Sequence, residues 1–228
     1  MNFDYTYILC FGRQVFEPMV LLTNFILFLV SVYCFKRLIK YRSAYPSEMA
    51  SFILILGISS CFGAVAHAVH YQLGTGFFQV VFFSCNMLNL ISIYFFFKGS
   101  YTYFNLQREK VANKKVLGFV IAWIMLLLIV EAVQNEFLLI KIHAAIVLIY
   151  GLTVHFLAFL KKDRGSGTVV LGIVISFLSI LVHSLKFSVD EWFNYKDIAH
   201  TIMIISMIVI YRGIKLNSDR LIRSGKEV

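Results

Sequence analysis

Residues 49–72 read MASFILILGISSCFGAVAHAVHYQ, with no aspartate, glutamate, lysine or arginine. A helix rises 1.5 Å per residue and a bilayer's hydrocarbon core is about 30 Å thick, so roughly 20 such residues cross it. This stretch is long enough to do so. It closes on two histidines, His67 and His70, which share a helical stripe with Ser60 and Gly63 at spacings of three and four. Ionisable groups inside a span turn toward a bundle interior or a polar path rather than toward lipid. The stretch therefore sets the fold class and also shows where chemistry belongs.

Windows of the same kind recur on both sides of it. Spans are expected near 19–35, 49–72, 77–97, 116–133, 137–160, 168–187 and 197–214. The chain of 228 residues is 60% hydrophobic and 14% charged, against about 25% charged in soluble domains. Connections between windows are short. The expectation is a single all-α domain over 1–228, a polytopic bundle of seven transmembrane helices. Such a chain is an integral, multi-pass protein of a bacterial inner membrane or of a plasma or endoplasmic-reticulum membrane. Glu17-Pro18 reads as the start of the first helix, where proline is tolerated. The leading MNFDYTY lacks a basic flank, so the first window is expected to be a span and not a cleaved signal.

Charge sets the orientation. Of the 21 lysines and arginines, 17 fall in four places. These are 36–48 (Lys36, Arg37, Lys40, Arg42), 98–115 (Lys98, Arg108, Lys110, Lys114, Lys115), 161–167 (Lys161, Lys162, Arg164) and the tail (Arg212, Lys215, Arg220, Arg223, Lys226). Seven alternating spans put all four on one side. The positive-inside rule makes that side cytoplasmic, with the N-terminus outside and the C-terminus inside. The net charge of +9 thus reads as topology and contact with membrane lipids, not as nucleic-acid binding. Cys10, Cys34, Cys61 and Cys85 form no C-x-x-C pair and read as small packing residues.

With this orientation, His67, His70, His143, His183 and His200 all fall within about two helical turns, some 10 Å, of the outer boundary. Only His155 lies toward the cytoplasmic end. Ser176, Ser179 and His183 share a stripe, as do Asn86 and Asn89, and Asp197 and His200 lie three apart. Three imidazoles plus a water make an open zinc site, and a nearby carboxylate orients a ligand. The expected ligands are His67, His183 and His200, with His70 and then His143 in reserve. Asp197 is expected in the first or second coordination shell, where it acts as a base or orients His200. Asn86 or Asn89 would donate to a developing oxyanion. Each also has a plainer reading, Asp197 as a helix cap and the asparagines as interhelical glue. Zinc lowers the pKa of bound water to about 7, so the expected activity is hydrolysis of a lipid amide or ester near the outer face. No G-x-S-x-G, H-E-x-x-H or glycine-rich phosphate loop is present. Two alternatives stay open: a bis-histidine haem b protein and a non-catalytic lipid- or ligand-binding membrane protein.

Ser60-x-x-Gly63-x-x-x-His67 and Asn194-Tyr-Lys-Asp197-Ile-Ala-His200, running on to Tyr211-Arg212-Gly213, carry a resemblance. The chain resembles the CREST superfamily of alkaline ceramidases and PAQR receptors, most closely in the manner of a divergent bacterial-type member. The resemblance implies seven helices with the N-terminus outside, and an intramembrane zinc held by histidines of the second and last helices. It also implies a metal-dependent lipid amidase or esterase. The sequence departs from that pattern in three places. Gly63 stands where a serine is usual, the third helix offers Asn86 and Asn89 in place of an aspartate, and Lys196 stands where a first histidine is usual. His183 is the expected replacement ligand.

Overall fold

The computed structural model describes residues 6–109, 113–134 and 137–225, and the side chains of these except 69–73, 134 and 137. Among the described residues, seven helices are long and apolar enough to cross a membrane: Pro18–Tyr41, Ala44–Ala68, Gly74–Gln107, Lys114–Val133, Leu138–Leu160, Arg164–Leu185 and Tyr195–Arg223. They are called the first to seventh spans. Their outward faces carry large exposed apolar side chains, among them Phe25, Leu29, Phe119, Ile146 and Leu178. Apolar surface of that extent is covered by lipid, not water.

The helices match the expected windows and exceed them at the basic end. The third span runs on to Gln107 and the seventh to Arg223. Hydropathy stops where polar residues begin, but these extensions bury polar faces against each other. Ser166 Oγ (2.8 Å), Arg220 Nη2 (2.9 Å) and the Tyr103 hydroxyl all donate to Asp163 Oδ2. Asn217 Nδ2 donates to Tyr45 OH at 3.3 Å, and His155 Nδ1 lies 3.2 Å from Ser166 Oγ. His155, expected alone at this end, is fully buried within that network.

The second and third spans are two helices that meet at a sharp kink at Gly74, whose φ of 78 and ψ of 167 are not helical. That backbone region is open to glycine at little cost and closed to other residues. Before the first span lies a hairpin that hydropathy does not register, Tyr7–Cys10 paired with Arg13–Phe16. Its turn, Phe11-Gly12, has positive φ at both residues (50 and 76), as tight primed turns require.

Close helix approach is concentrated at two seams. Between the sixth and seventh spans, a Cβ added to Gly172 would meet Ile210 N at 2.9 Å, and one added to Gly213 would meet Val169 N at 2.7 Å. Ser206 Oγ donates to Gly172 O at 2.8 Å and Ser179 Oγ to Ala199 O at 3.0 Å, closing the seam toward the histidine end. Between the first and second spans the tight point is Gly57, where a Cβ would overlap Ser31 Oγ. At Gly63 the nearest atom would be Cys85 Sγ at 3.7 Å, so this glycine of the sequence stripe leaves room for a methyl. Ser60 instead donates to Asn24 O of the first span at 3.1 Å. The fourth span is peripheral and packs chiefly on the third.

Candidate functional site

The two seams meet at the hairpin end of the bundle, where the first, second, sixth and seventh spans bring polar side chains together. Glu17 is the pivot. It precedes Pro18 at the head of the first span, is 6% exposed, and holds a left-handed φ of 46. Such a backbone costs a non-glycine residue on the order of 1 kcal/mol, and Glu17 N is tied to Thr6 O at 2.9 Å. The result is a carboxylate turned inward. Its Oε2 lies 2.6 Å from His67 Nδ1, and its Oε1 accepts from Lys196 Nζ at 2.6 Å. Burial on its own would raise the Glu17 pKa. The hydrogen bond and charge of His67, then Lys196, outweigh burial and hold the group at about 2.

A second network surrounds His200. Its Nδ1 lies 3.3 Å from Thr23 Oγ1 and 3.2 Å from Asn24 Nδ2. Thr23 Oγ1 is also 3.3 Å from Asp197 Oδ1, and Asp197 is fully buried. The hydrogen bonds allow two tautomers. With Nδ1 protonated, the ring donates to Thr23, Thr23 donates to Asp197, and the Nε2 lone pair is open. With Nδ1 unprotonated, Asn24 Nδ2 donates to it and Nε2 carries the proton.

The seventh span starts in a fixed place because of a capping box. Asn194 Oδ1 accepts from Lys196 N at 2.9 Å, and Asp197 Oδ2 accepts from Asn194 N at 3.1 Å. Asp197 is therefore both part of the cap and the end of the relay to His200. His183, near the end of the sixth span, packs edge-on against Tyr195 with ring centroids 5.3 Å apart. His67, His183 and His200 all lie within electrostatic reach of one another and of Lys196.

The remaining expected residues fall elsewhere or outside the description. Asn86 donates to Glu131 Oε1 of the fourth span at 2.6 Å, and Asn89 Nδ2 lies 3.8 Å from Cys85 Sγ. Neither is hydrogen-bonded to the histidine group among the described residues. His143 is buried in the fifth span, and its Nε2 has no hydrogen-bond partner among them. The His70 side chain lies outside the described residues. Glu17, Thr23 and Asn24 are site residues that the sequence reading did not assign. In the sequence Glu17 reads as a helix start. Thr23 and Asn24 are two polar residues inside an apolar window, and that was their one available signal.

The donor chemistry suits zinc. Histidine ligands commonly engage a carboxylate or another acceptor through the nitrogen that does not bind metal. His67 does so through Glu17, and His200 does so through Thr23 and Asp197, which leaves both Nε2 edges. Among the described residues, no three histidine, cysteine, aspartate or glutamate side chains stand as a preassembled metal group. Coordination by three imidazoles therefore requires side-chain rotation.

A family model matches residues 19–219, nearly the whole bundle. The chain belongs to DUF6962, a family of unknown function. The matched range of this DUF6962 chain holds all three expected histidine ligands and the Thr23–Asp197 relay, and it begins just past Glu17. No curated protein and no solved structure matches the chain.

Proposed function

We propose that the chain is a zinc-dependent intramembrane hydrolase acting on amide or ester bonds of membrane lipids. The observation that carries the proposal is the pairing of two histidines from distant spans with orienting groups at Nδ1, Glu17 on His67 (2.6 Å) and the Thr23–Asp197 relay on His200 (3.3 Å). His67 and His200 would hold the metal through Nε2, with His183 brought in by side-chain rotation. Zinc bound there supplies Lewis acidity and a water of lowered pKa. Asp197, fixed by Asn194 N and Thr23, would keep the His200 tautomer that leaves Nε2 free for the metal. Glu17 keeps the His67 ring in place. His200 is five residues from the start of its helix, a depth of about 7 Å, where the linkage between a lipid head group and its chains is within reach. The partition of basic residues supports the outer leaflet as that location.

A second reading rests on Lys196. Its ammonium already neutralises Glu17 at 2.6 Å and disfavours a divalent cation nearby. That arrangement suits a non-catalytic site for a lipid head group.

Metal analysis of the purified chain beside His67→Ala/His200→Ala separates the two. The hydrolase reading expects about one zinc per chain, lost in the double variant, and turnover of ceramides, lysolipids or N-acyl lipids that a chelator abolishes. Zinc retained at full stoichiometry in the double variant would sink the assignment. No zinc in the wild-type chain would leave the head-group reading standing, and zinc without turnover across the panel would remove the hydrolase reading. A Soret band would replace both with a haem protein.

A further inference from the structure

At the basic end, the first and seventh spans form a groove unconnected with the histidines. Two cavities lie along it, of about 260 and 380 Å³. The deeper one is apolar on both walls, with Leu29, Val30 and Cys34 on the first span facing Ile208 on the seventh. Tyr33 and Tyr211 stand in the same cavity, edge to face at 6.2 Å. The shallower cavity is basic, lined by Arg37, Lys40 and Lys215 with Tyr41, and Arg212 comes from the rim of the deeper one.

The sequence spacing makes these cavities a single groove. On the first span, 30, 33, 37, 40 and 41 follow the three-and-four spacing of one helical face, and on the seventh 208, 211, 212 and 215 do the same. From Leu29 to Lys40 the wall is about 16 Å long, close to half of a hydrocarbon core. Depth assigns the parts. About 20 residues from Pro18 reach Arg37, and about 18 from Tyr195 reach Arg212, so both guanidiniums stand where the hydrocarbon ends. Lys40 and Lys215 lie one turn farther out. Arg37 lies beside Tyr211. Asp219 accepts from Tyr41 OH at 2.6 Å and lies 3.5 Å from Lys215, anchoring the outer lip and leaving the two arginines and Lys40 for a ligand.

We propose that this groove binds one anionic phospholipid from the leaflet at the basic end, with its phosphate between Arg37 and Arg212 and one acyl chain along Leu29, Val30 and Ile208. Guanidinium groups match phosphate through paired donors. Basic pockets between spans at this depth are a recurrent form of phospholipid recognition. A free anion would use only the mouth, and a zwitterionic lipid would bring its own cation against four basic residues.

The test uses the full chain in mild detergent, titrated with phosphatidylglycerol, phosphatidylcholine or inorganic phosphate, reading a binding isotherm and the melting midpoint. Phosphatidylglycerol is expected to bind at least about tenfold tighter than phosphatidylcholine. Arg37→Gln/Arg212→Gln is expected to weaken it about 30-fold, as two basic residues near an anionic lipid surface predict. Lys114→Gln/Lys115→Gln removes the same charge from the exposed head of the fourth span and is expected to leave binding within about twofold. Equal binding of phosphatidylcholine, equal stabilisation by inorganic phosphate, or an equal loss in the lysine variant would each overturn the proposal. If the arginine variant does not fold, Leu29→Trp decides. It fills the acyl groove, so it must weaken phosphatidylglycerol, and unchanged affinity there overturns the site.

Discussion

Glu17 Oε2 and His67 Nδ1 stand 2.6 Å apart, joining the head of the first span to the end of the second. Lys196 reaches the same carboxylate from the seventh span, again at 2.6 Å. Three helices therefore share one anionic group that is nearly out of contact with solvent. Removing one partner of such a buried arrangement leaves the others uncompensated.

Glu17→Gln is expected to lower stability in detergent by on the order of 3 kcal/mol, mainly because Lys196 loses its counter-charge. Lys196→Gln should be milder, since His67 remains. The double variant should be less damaged than the sum of the singles, and thermal melting of the four proteins reads the coupling. Strict additivity would show that the contact is not energetically formed.

Thr23 tests the relay. Thr23→Val keeps the shape and removes the hydroxyl between His200 and Asp197. Zinc affinity should fall about 10- to 100-fold, as for other groups that orient a metal-bound histidine. Thr23→Ser should retain most of it. Competition against a chelator of known affinity measures both, and equal affinities for valine and serine would remove Thr23 from the site.

Asn86 gives the opposite expectation. Its 2.6 Å hydrogen bond to Glu131 fastens the peripheral fourth span to the third. Asn86→Ala should cost about 1–2 kcal/mol of stability while leaving zinc content and any turnover per folded molecule unchanged. A loss of turnover in fully folded, zinc-loaded protein would return Asn86 to a role in the reaction.

At the basic end, Asp163 collects donors from Tyr103, Ser166 and Arg220. Asp163→Ala should cost about 3 kcal/mol, because it strands a cation and two hydroxyls at once. The denaturation midpoint in detergent checks this, and metal content at the distant histidine end should not move.

The bundle was legible because long apolar windows leave a helix no alternative in lipid. Ser60 is buried and His67 reaches the buried Glu17 from one stripe, since a period of 3.6 fixes faces without knowledge of neighbours. What each face meets was not legible. Gly57 rather than Gly63 makes the tight contact, because closeness depends on which span lies opposite. Glu17 carries only the signal of a helix start, through the proline that follows it. Its inward turn depends on a left-handed backbone and on a hairpin whose ten residues carry no hydropathy signal. Asn86 found Glu131 because both lie deep between two spans, a pairing that depth alone cannot separate from a catalytic placement.

The seventh span is one uninterrupted rod of 29 residues, about 43 Å long. Its middle rests against the sixth span where Gly172 meets Ile210 and Gly213 meets Val169, and toward its two ends it carries His200 and Arg220, the latter held by Asp163. Mechanically this is a beam on a fulcrum. A tilt of about 10° there would carry the tips about 4 Å in opposite directions, so the Asp163 network and the imidazole end are positioned by one rigid element without any bond between them.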